Sequence, residues 1–176
     1  MKAIADIIDT INRIIGKAVA WFALLMVLVQ FGVVVARYVF GVGNLWAQES
    51  IIYMHAFLFM LAAAYTLSDD GHVRVDIFYR SASMRYRMLV DMLGAIVLLI
   101  PVSLTITYVS WGYVSSSWAV LESSMESSGI PAVFILKTPI PVFGIMMTAQ
   151  GVVMILRSIL ALTGQWTPPA AEHPAP

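Results

Sequence analysis

Four stretches of this sequence are long and apolar enough to cross a membrane as helices. They cover residues 18–37, 48–68, 88–111 and 140–162. A helix needs about twenty mostly apolar residues to cross roughly 30 Å of hydrocarbon, and each stretch meets that length. Hydrophobic residues make up 60% of the chain and charged residues only 11%, whereas a soluble domain carries roughly 25% charged residues. The sequence therefore predicts an all-α membrane protein with four transmembrane helices.

The segments outside these stretches divide the chain further. Residues 1–17 carry a helical stripe of isoleucines opposite Asp6, Asp9, Asn12 and Arg13, and they are too short and too charged to span a bilayer. This pattern predicts an amphipathic helix on the cytoplasmic interface that continues into the first span. A second interfacial helix is predicted from Ile77, capped by Asp76. Residues 163–176 are rich in Pro and Ala, which predicts a disordered cytoplasmic tail after the transmembrane domain, residues 18–162.

Glycine and proline mark where the predicted spans turn or bend. Residues 41–44 (GVGN) predict a tight turn, since Gly and Asn readily adopt positive φ. Gly71 is expected to follow the second span as the C′ residue. Pro101 removes a backbone donor near the middle of the third span, so a kink is expected there.

The placement of basic residues predicts the orientation of the chain. With four spans, one side of the membrane receives all but two of the Lys and Arg residues: Lys2, Arg13, Lys17, Arg74, Arg80, Arg85, Arg87 and Arg157. Only Arg37 and Lys137 fall on the other side. The excess of positive charge in cytoplasmic segments then places both termini in the cytoplasm.

Composition excludes several functional classes. The chain has no cysteine and a formal net charge of zero, which argues against disulfides, thiolate metal sites and nucleic-acid binding. His55 is the only histidine within a predicted span, whereas a bis-His haem requires a second. Ser or Thr, His and Asp form no believable catalytic triad, because His72 and Asp76 fall on the cytoplasmic side and the Ser-rich stretch on the other. We therefore expect neither an enzyme nor a bound cofactor or metal.

The polar residues with the strongest claim to a role lie at the ends of the second span. Arg37 ends the first span, and Trp46, Glu49 and Tyr53 open the second at helical spacing. An ionisable residue in a span suggests function, but Glu49 lies near the headgroups, so we interpret it as pairing with Arg37 or contacting a partner. His72, Arg74 and Asp76 cluster after the second span as a solvated or partner-bound loop. Within the spans, Gln30 and Gln150 are candidates to bridge helices.

Three alternatives remain open on the residues alone. A small four-span exporter would need an acid deep in a span, and residues 18–36, 50–68 and 140–162 contain none. A haem- or quinone-binding membrane anchor would need paired intramembrane histidines. An accessory assembly protein is a third possibility, which copurification with a large multi-span subunit would argue against.

Three motifs resemble one known family. Residues 37–50 (RYVFGVGNLWAQES) are similar to the R-Y-x-F…W-x-E-E motif in the small membrane (Q) subunit of tripartite ATP-independent periplasmic (TRAP) transporters. Residues 71–76 (GHVRVD) resemble that family's G-H-[IV]-x-V-D element, and residues 126–151 resemble its lead-in to the last span. The chain departs from the pattern at the paired acid, where Gln48 precedes Glu49.

The resemblance implies a function in the bacterial inner membrane. The small subunit would support a large permease, which carries the sodium and substrate sites, and would help dock a periplasmic binding protein that delivers a small organic acid. Arg37, Trp46 and Glu49 would then fix one end of the first two spans, and the loop from Trp111 to Lys137, including Glu122 and Glu126, would meet the binding protein. Besides these two proteins, membrane lipids are the expected partners.

Overall fold

The described chain is a bundle of helices. The computed structural model describes residues 2–72 and 82–166, and these residues contain helices and no strands. In order they form α1 (Lys2–Phe40), α2 (Leu45–Ser68), α3 (Met84–Gly94), a π-helical turn (Ala95–Leu99), α4 (Ile100–Ala119), α5 (Val133–Lys137) and α6 (Pro139–Leu162). Four helical stretches within them are long and apolar enough to cross a membrane, which confirms the predicted fold class.

Local sequence explains where the helices begin and end. The Asn44 side chain accepts a hydrogen bond from the Ala47 N–H (3.0 Å) and caps α2, while Ser83 caps α3 through the Tyr86 N–H. In the turn before α2 only Gly41 has positive φ (67°). At the end of α2 the left-handed residue is Asp70 (φ 59°), one position before the expected Gly71. Asp70 is therefore the C′ residue of a Schellman motif, and Gly71 is its C″ residue, which donates its N–H to the Thr66 carbonyl (2.8 Å).

The backbone hydrogen-bond pattern of the third span changes from α-helical to π-helical just before Pro101. Helix α4 follows α3 without a loop, and the two are joined by the π-helical turn, whose last bond runs from the Ile100 N–H to the Ala95 carbonyl. A π turn is wider by one residue than an α turn. It precedes the proline ring, which supplies no N–H of its own.

Helix α6 is the centre of the bundle. It packs against α1, α2, α3 and α4, whereas α1 does not touch α4. Ten residues of α6 are buried, whereas Ala64 is the only buried residue in α2. Two glycines let neighbouring helices approach closely, Gly144 against α4 and Gly151 against Ile100. Because lipid tails are as apolar as the helix faces, such close packing is what associates membrane helices.

Helix α1 has no break near residue 17, so the predicted N-terminal helix and the first span form one helix of 39 residues. The N-terminal segment differs from its prediction in which residues are buried: Asp9 and Asn12 are buried, while Ile7 and Ile14 are about 60% exposed. The reason lies on α6, which presents polar partners to this side of α1. The predicted start of a helix at Ile77 lies outside the described residues, as does the tail from residue 167.

Candidate functional site

Two groups of polar side chains hold the bundle together, one at each end. The end with the 41–44 turn and the 120–132 loop is called the loop end here, and the opposite end, where α1 begins and α6 ends, the terminal end. No Asp, Glu, Lys or Arg lies within residues 18–36, 50–68, 92–121 or 138–156. The charged chemistry of the described chain is therefore confined to the two ends.

At the loop end, Glu49 ties α2 to the long loop. The Asn44 cap fixes the first turn of α2, and Glu49 projects from the next turn. One carboxylate oxygen accepts a hydrogen bond from the Ser124 hydroxyl (2.7 Å) and the other from the Ile130 N–H (2.6 Å). A Cβ at Gly129 would lie 2.6 Å from the Glu49 carboxylate, so the glycine is what allows the loop to approach. Charge-assisted bonds of this kind are stronger than neutral ones.

Glu122 forms the second half of this attachment. Its carboxylate pairs with the Lys137 ammonium and accepts a hydrogen bond from the Ser117 hydroxyl (2.6 Å). These two donors, Lys137 first and Ser117 second, hold the pKa of Glu122 below its ordinary value. The Glu122 carbonyl also accepts the Val133 N–H (2.9 Å). Glu122 thus joins the end of α4 to the start of α5.

An aromatic contact closes the same region. The Trp118 indole donates to the Thr138 hydroxyl (3.0 Å) and lies edge-on to the Phe134 ring, with centroids 4.7 Å apart. The Lys137 ammonium lies 4.1 Å from the centroid of the Tyr113 ring, within the range of a cation–π interaction. The groups that hold the loop through hydrogen bonds and ion pairs are called the loop clamp: Glu49, Ser117, Glu122, Ser124, Ile130 and Lys137.

Toward the terminal end, a chain of buried polar side chains joins α1 to α6 and reaches the middle of α6 at Gln150. The Asn12 amide donates to the Gln150 oxygen (2.7 Å), and the Gln150 amide donates to Asp9 (3.0 Å). Arg157 forms an ion pair with the same Asp9 carboxylate. Gln150 and Asn12 are only 1% and 2% exposed. These four residues are called the terminal cluster; leaving a buried hydrogen-bonding group of this kind without its partner typically costs about 1–3 kcal/mol.

A weaker contact and a cavity flank the terminal cluster. Arg13 and Asp69 join α1 to the end of α2 at 3.4 Å, but both side chains are substantially exposed, and exposed pairs contribute little. A cavity of about 400 Å³ is lined by residues of both charges, including Asp6, Asp9, Arg13, Lys17 and Arg157. Within residues 2–72 and 82–166 no three His, Asp or Glu side chains are grouped so as to hold a metal ion.

The residues singled out from the sequence fall into distinct positions. Glu49 and Glu122 lie in the loop clamp. Arg37 is exposed at the end of α1 and, within the described part of the chain, has no ion pair. Of the two roles expected for Glu49, pairing with Arg37 is therefore absent, because Ser124 and Ile130 occupy both Glu49 oxygens; contact with a partner stays a prediction. Trp46 is exposed, and the hydroxyl of Tyr53 is buried without a hydrogen-bond partner among the described residues.

The remaining predicted residues surround these clusters or lie beyond the described chain. His72 is exposed directly after α2, and Glu126 is exposed in the loop, where its backbone carbonyl accepts the Gly129 N–H (3.0 Å). Arg74 and Asp76 lie outside the described residues. Within the second span, His55 is exposed and stacks on Phe59, with ring centroids 6.1 Å apart.

The terminal cluster was not assembled from the sequence. Gln150 was recognised as a possible helix bridge, and the structure confirms that it is one. Its partners were assigned to a solvent-facing side of α1. One signal was available: Gln150 and Arg157 are seven residues apart and share a face of α6, while Asp9 and Asn12 share a face of α1. No sequence signal indicated that the two faces meet.

The fold and the two clusters together define an all-helical, multi-pass membrane protein whose charged groups fasten helix ends to each other. A sequence model of the family described as tripartite ATP-independent periplasmic transporters, DctQ component, matches residues 26–161. The chain belongs to this family, and is therefore a small subunit of a TRAP transporter in the bacterial inner membrane. The exporter and haem-anchor interpretations are thereby disfavoured.

One curated relative is similar over part of its length. The C4-dicarboxylate TRAP transporter small permease protein DctQ of Vibrio cholerae serotype O1 is 30% identical over 95 residues, which cover 54% of this chain and 40% of the relative. The chain thus matches less than half of that relative's length. No solved structure gives a significant match.

Proposed function

We propose that this chain is a fixed scaffold for a large permease subunit, which carries the sodium and substrate sites, and that it helps a periplasmic binding protein dock for uptake of a small organic acid. The Vibrio relative is named for C4-dicarboxylates, which supports the organic acid class. The observation that carries the proposal is the loop clamp, because both oxygens of the one acid at the start of α2 accept hydrogen bonds from the loop.

Charge placement supports a scaffold over an ion-coupled carrier. Ionisable residues inside a span mark the proton relays and ion pathways of carriers, and the span interiors defined above contain no charged residue. Two acids near the span ends, Glu49 and Asp9, are hydrogen-bonded to neighbouring helices and loops. Groups held in this way fix helix positions, which is what a stationary subunit must supply to a moving partner.

The surface of the long loop supports the docking role. Val120, Leu121 and Met125 are 73%, 60% and 104% exposed, respectively, and Glu126 lies beside them. Leu121 has a left-handed backbone (φ 47°), a strained conformation for a branched residue. The Glu122 bonds directly after it hold this conformation. The loop clamp therefore presents an apolar rim in a fixed shape, which suits recognition by a folded protein.

Charge reversal at Glu49 tests the proposal. Glu49→Lys places a donor where two donors already converge, so we expect at least a tenfold loss of organic acid uptake and reduced recovery of the large permease with the chain. Glu49→Gln is the matched control: it keeps the shape and one acceptor oxygen, so its loss should be smaller. Wild-type uptake by Glu49→Lys, with normal amounts of protein in the membrane, contradicts the proposal.

A further inference from the structure

One amide in the membrane has no hydrogen-bond partner within the described chain. Gln30 of α1 is exposed, and within residues 2–72 and 82–166 its side chain forms no hydrogen bond. It lies in an otherwise apolar groove of about 480 Å³ between α1 and α2, called the α1 groove, which is lined by Met26, Val27, Gln30, Phe31, Val34 and Ile51.

The depth of Gln30 makes this position unfavourable in lipid. Arg37 and Tyr38 mark the end of the span, and Gln30 precedes Arg37 by seven residues, which is about 10 Å along a helix. The amide is therefore well inside a hydrocarbon layer of roughly 30 Å. Hydrocarbon offers no hydrogen bonds, so an unpaired amide there costs free energy until another protein group satisfies it.

The other intramembrane amide shows how this fold treats such groups. Gln150 is 1% exposed, and both ends of its amide are hydrogen-bonded within the bundle. The chain bonds one intramembrane amide through both its oxygen and its nitrogen, and it leaves the other on its surface. The contrast indicates that the partner of Gln30 lies on another molecule.

A second polar group on the same face points to the same partner. Arg37 is two helical turns beyond Gln30, and a separation of seven residues returns to nearly the same side of a helix. Arg37 is exposed without an ion pair in the described residues, since the nearby acid Glu49 is already hydrogen-bonded to Ser124 and Ile130. One face of α1 thus presents an amide at depth and a guanidinium at the membrane surface.

We propose that the α1 groove docks a transmembrane helix of the large permease subunit. That helix would present a hydroxyl or amide side chain to Gln30 and an acidic or other acceptor group near Arg37. Side chains of this kind join membrane helices by hydrogen bonds. The identity of the partner rests on the proposed function, whereas the location of the contact rests on Gln30, Arg37 and the groove.

Site-specific crosslinking tests the location. The chain has no cysteine, so Gln30→Cys and Val34→Cys each introduce a single thiol for a photoactivatable crosslinker in membranes that contain the large permease. We expect both to crosslink to that subunit. The matched control is Val109→Cys: it is 68% exposed on α4, which does not touch α1, and we expect little crosslinking from it.

Other crosslinking outcomes overturn the proposal. Crosslinks from residue 30 only to lipid or to a second copy of this chain assign the groove to those occupants. If residue 109 crosslinks to the large permease as efficiently as residues 30 and 34, the contact is not specific to the α1 face and the proposal is contradicted. If the wild-type chain does not copurify with any large permease, both the proposed function and this inference are contradicted. If the two proteins copurify but residues 30 and 34 do not crosslink, only this inference is contradicted.

Substitution of the amide tests the chemistry. Gln30→Leu should lower the affinity for the large permease by about 3- to 30-fold, the range for one hydrogen bond between membrane helices. The thermal stability of the isolated chain should not fall, because Gln30 has no hydrogen-bond partner among the residues that the structure describes. Gln150→Leu is the comparison: it should destabilise the isolated chain by breaking the terminal cluster. Unchanged affinity in Gln30→Leu overturns the hydrogen-bonding role.

Discussion

At the scale of single residues, the loop end depends on two carboxylates that act as acceptors. Glu49 bonds a hydroxyl and a backbone N–H of the loop, and Glu122 bonds a hydroxyl and an ammonium. Neither faces the interior of the membrane. Glu49 satisfies donors of the loop, and Glu122 satisfies donors of α4 and α5 that would otherwise be left unpaired. The charge of the two carboxylates therefore stabilises the conformation of the loop.

Acid should weaken the loop clamp. Lys137 and Ser117 lower the pKa of Glu122 from its ordinary 4.5. The stabilisation is therefore fully present above about pH 4.5 and is lost as the pH falls through the lower pKa of the folded state. We expect Tm measured in detergent to fall between pH 6 and pH 3 by more in the wild type than in Glu122→Gln, which has no carboxylate to protonate. Equal acid sensitivity of the two proteins argues against this role.

At the scale of helices, glycines that allow two helices to approach closely determine the packing. Gly144 faces α4 at the level of Ser103 and Thr107, and Gly16 of α1 faces the Tyr65 ring of α2. Apolar side chains alone give helices no preference for one another over lipid, so specificity comes from small residues and hydrogen bonds. The terminal cluster adds such bonds between α1 and α6, and it fixes the register of the two helices.

A methyl group at Gly144 should separate α4 from α6. Its Cβ would lie 2.7 Å from the Ser103 carbonyl oxygen, a backbone atom that cannot rotate away. We expect Gly144→Ala to destabilise the isolated chain by about 1–3 kcal/mol, measured by unfolding in mixed micelles. Gly112→Ala on α4 is the control, since nothing lies within 4 Å of its added Cβ and Ala favours a helix. Comparable destabilisation by both substitutions contradicts the close-approach argument.

At the scale of the whole molecule, two clusters of polar side chains join the helices, and the outer surface of the spans between them is mainly apolar. The loop clamp holds α2, α4, α5 and the long loop, and the terminal cluster holds α1 and α6. Large apolar side chains such as Phe31 and Tyr108 are exposed along the spans. Such a surface suits contact with lipid and with other membrane helices. This arrangement is consistent with a subunit that supports others.

The orientation of the bundle is a further prediction. The charge distribution places both termini in the cytoplasm, and the long loop would then face the periplasm. A single cysteine at Met125→Cys should react with a membrane-impermeant thiol reagent in cells with a permeabilised outer membrane. One at Gln165→Cys should react only after the inner membrane is opened. The reverse labelling pattern contradicts the orientation.

The sequence by itself determined the four membrane-spanning helices, because their length and apolarity are properties of contiguous residues. It also indicated Glu49 as an anchor at a membrane surface and Gln150 as a helix bridge. Only the tertiary structure decided what these groups bond. The partners of Glu49 are 75 and 81 positions away in the chain, and those of Gln150 are 138 and 141 positions away. The inward turn of Asp9 and Asn12 has the same cause: helical periodicity defines the faces of α1, but the residues of α6 determine which face is buried.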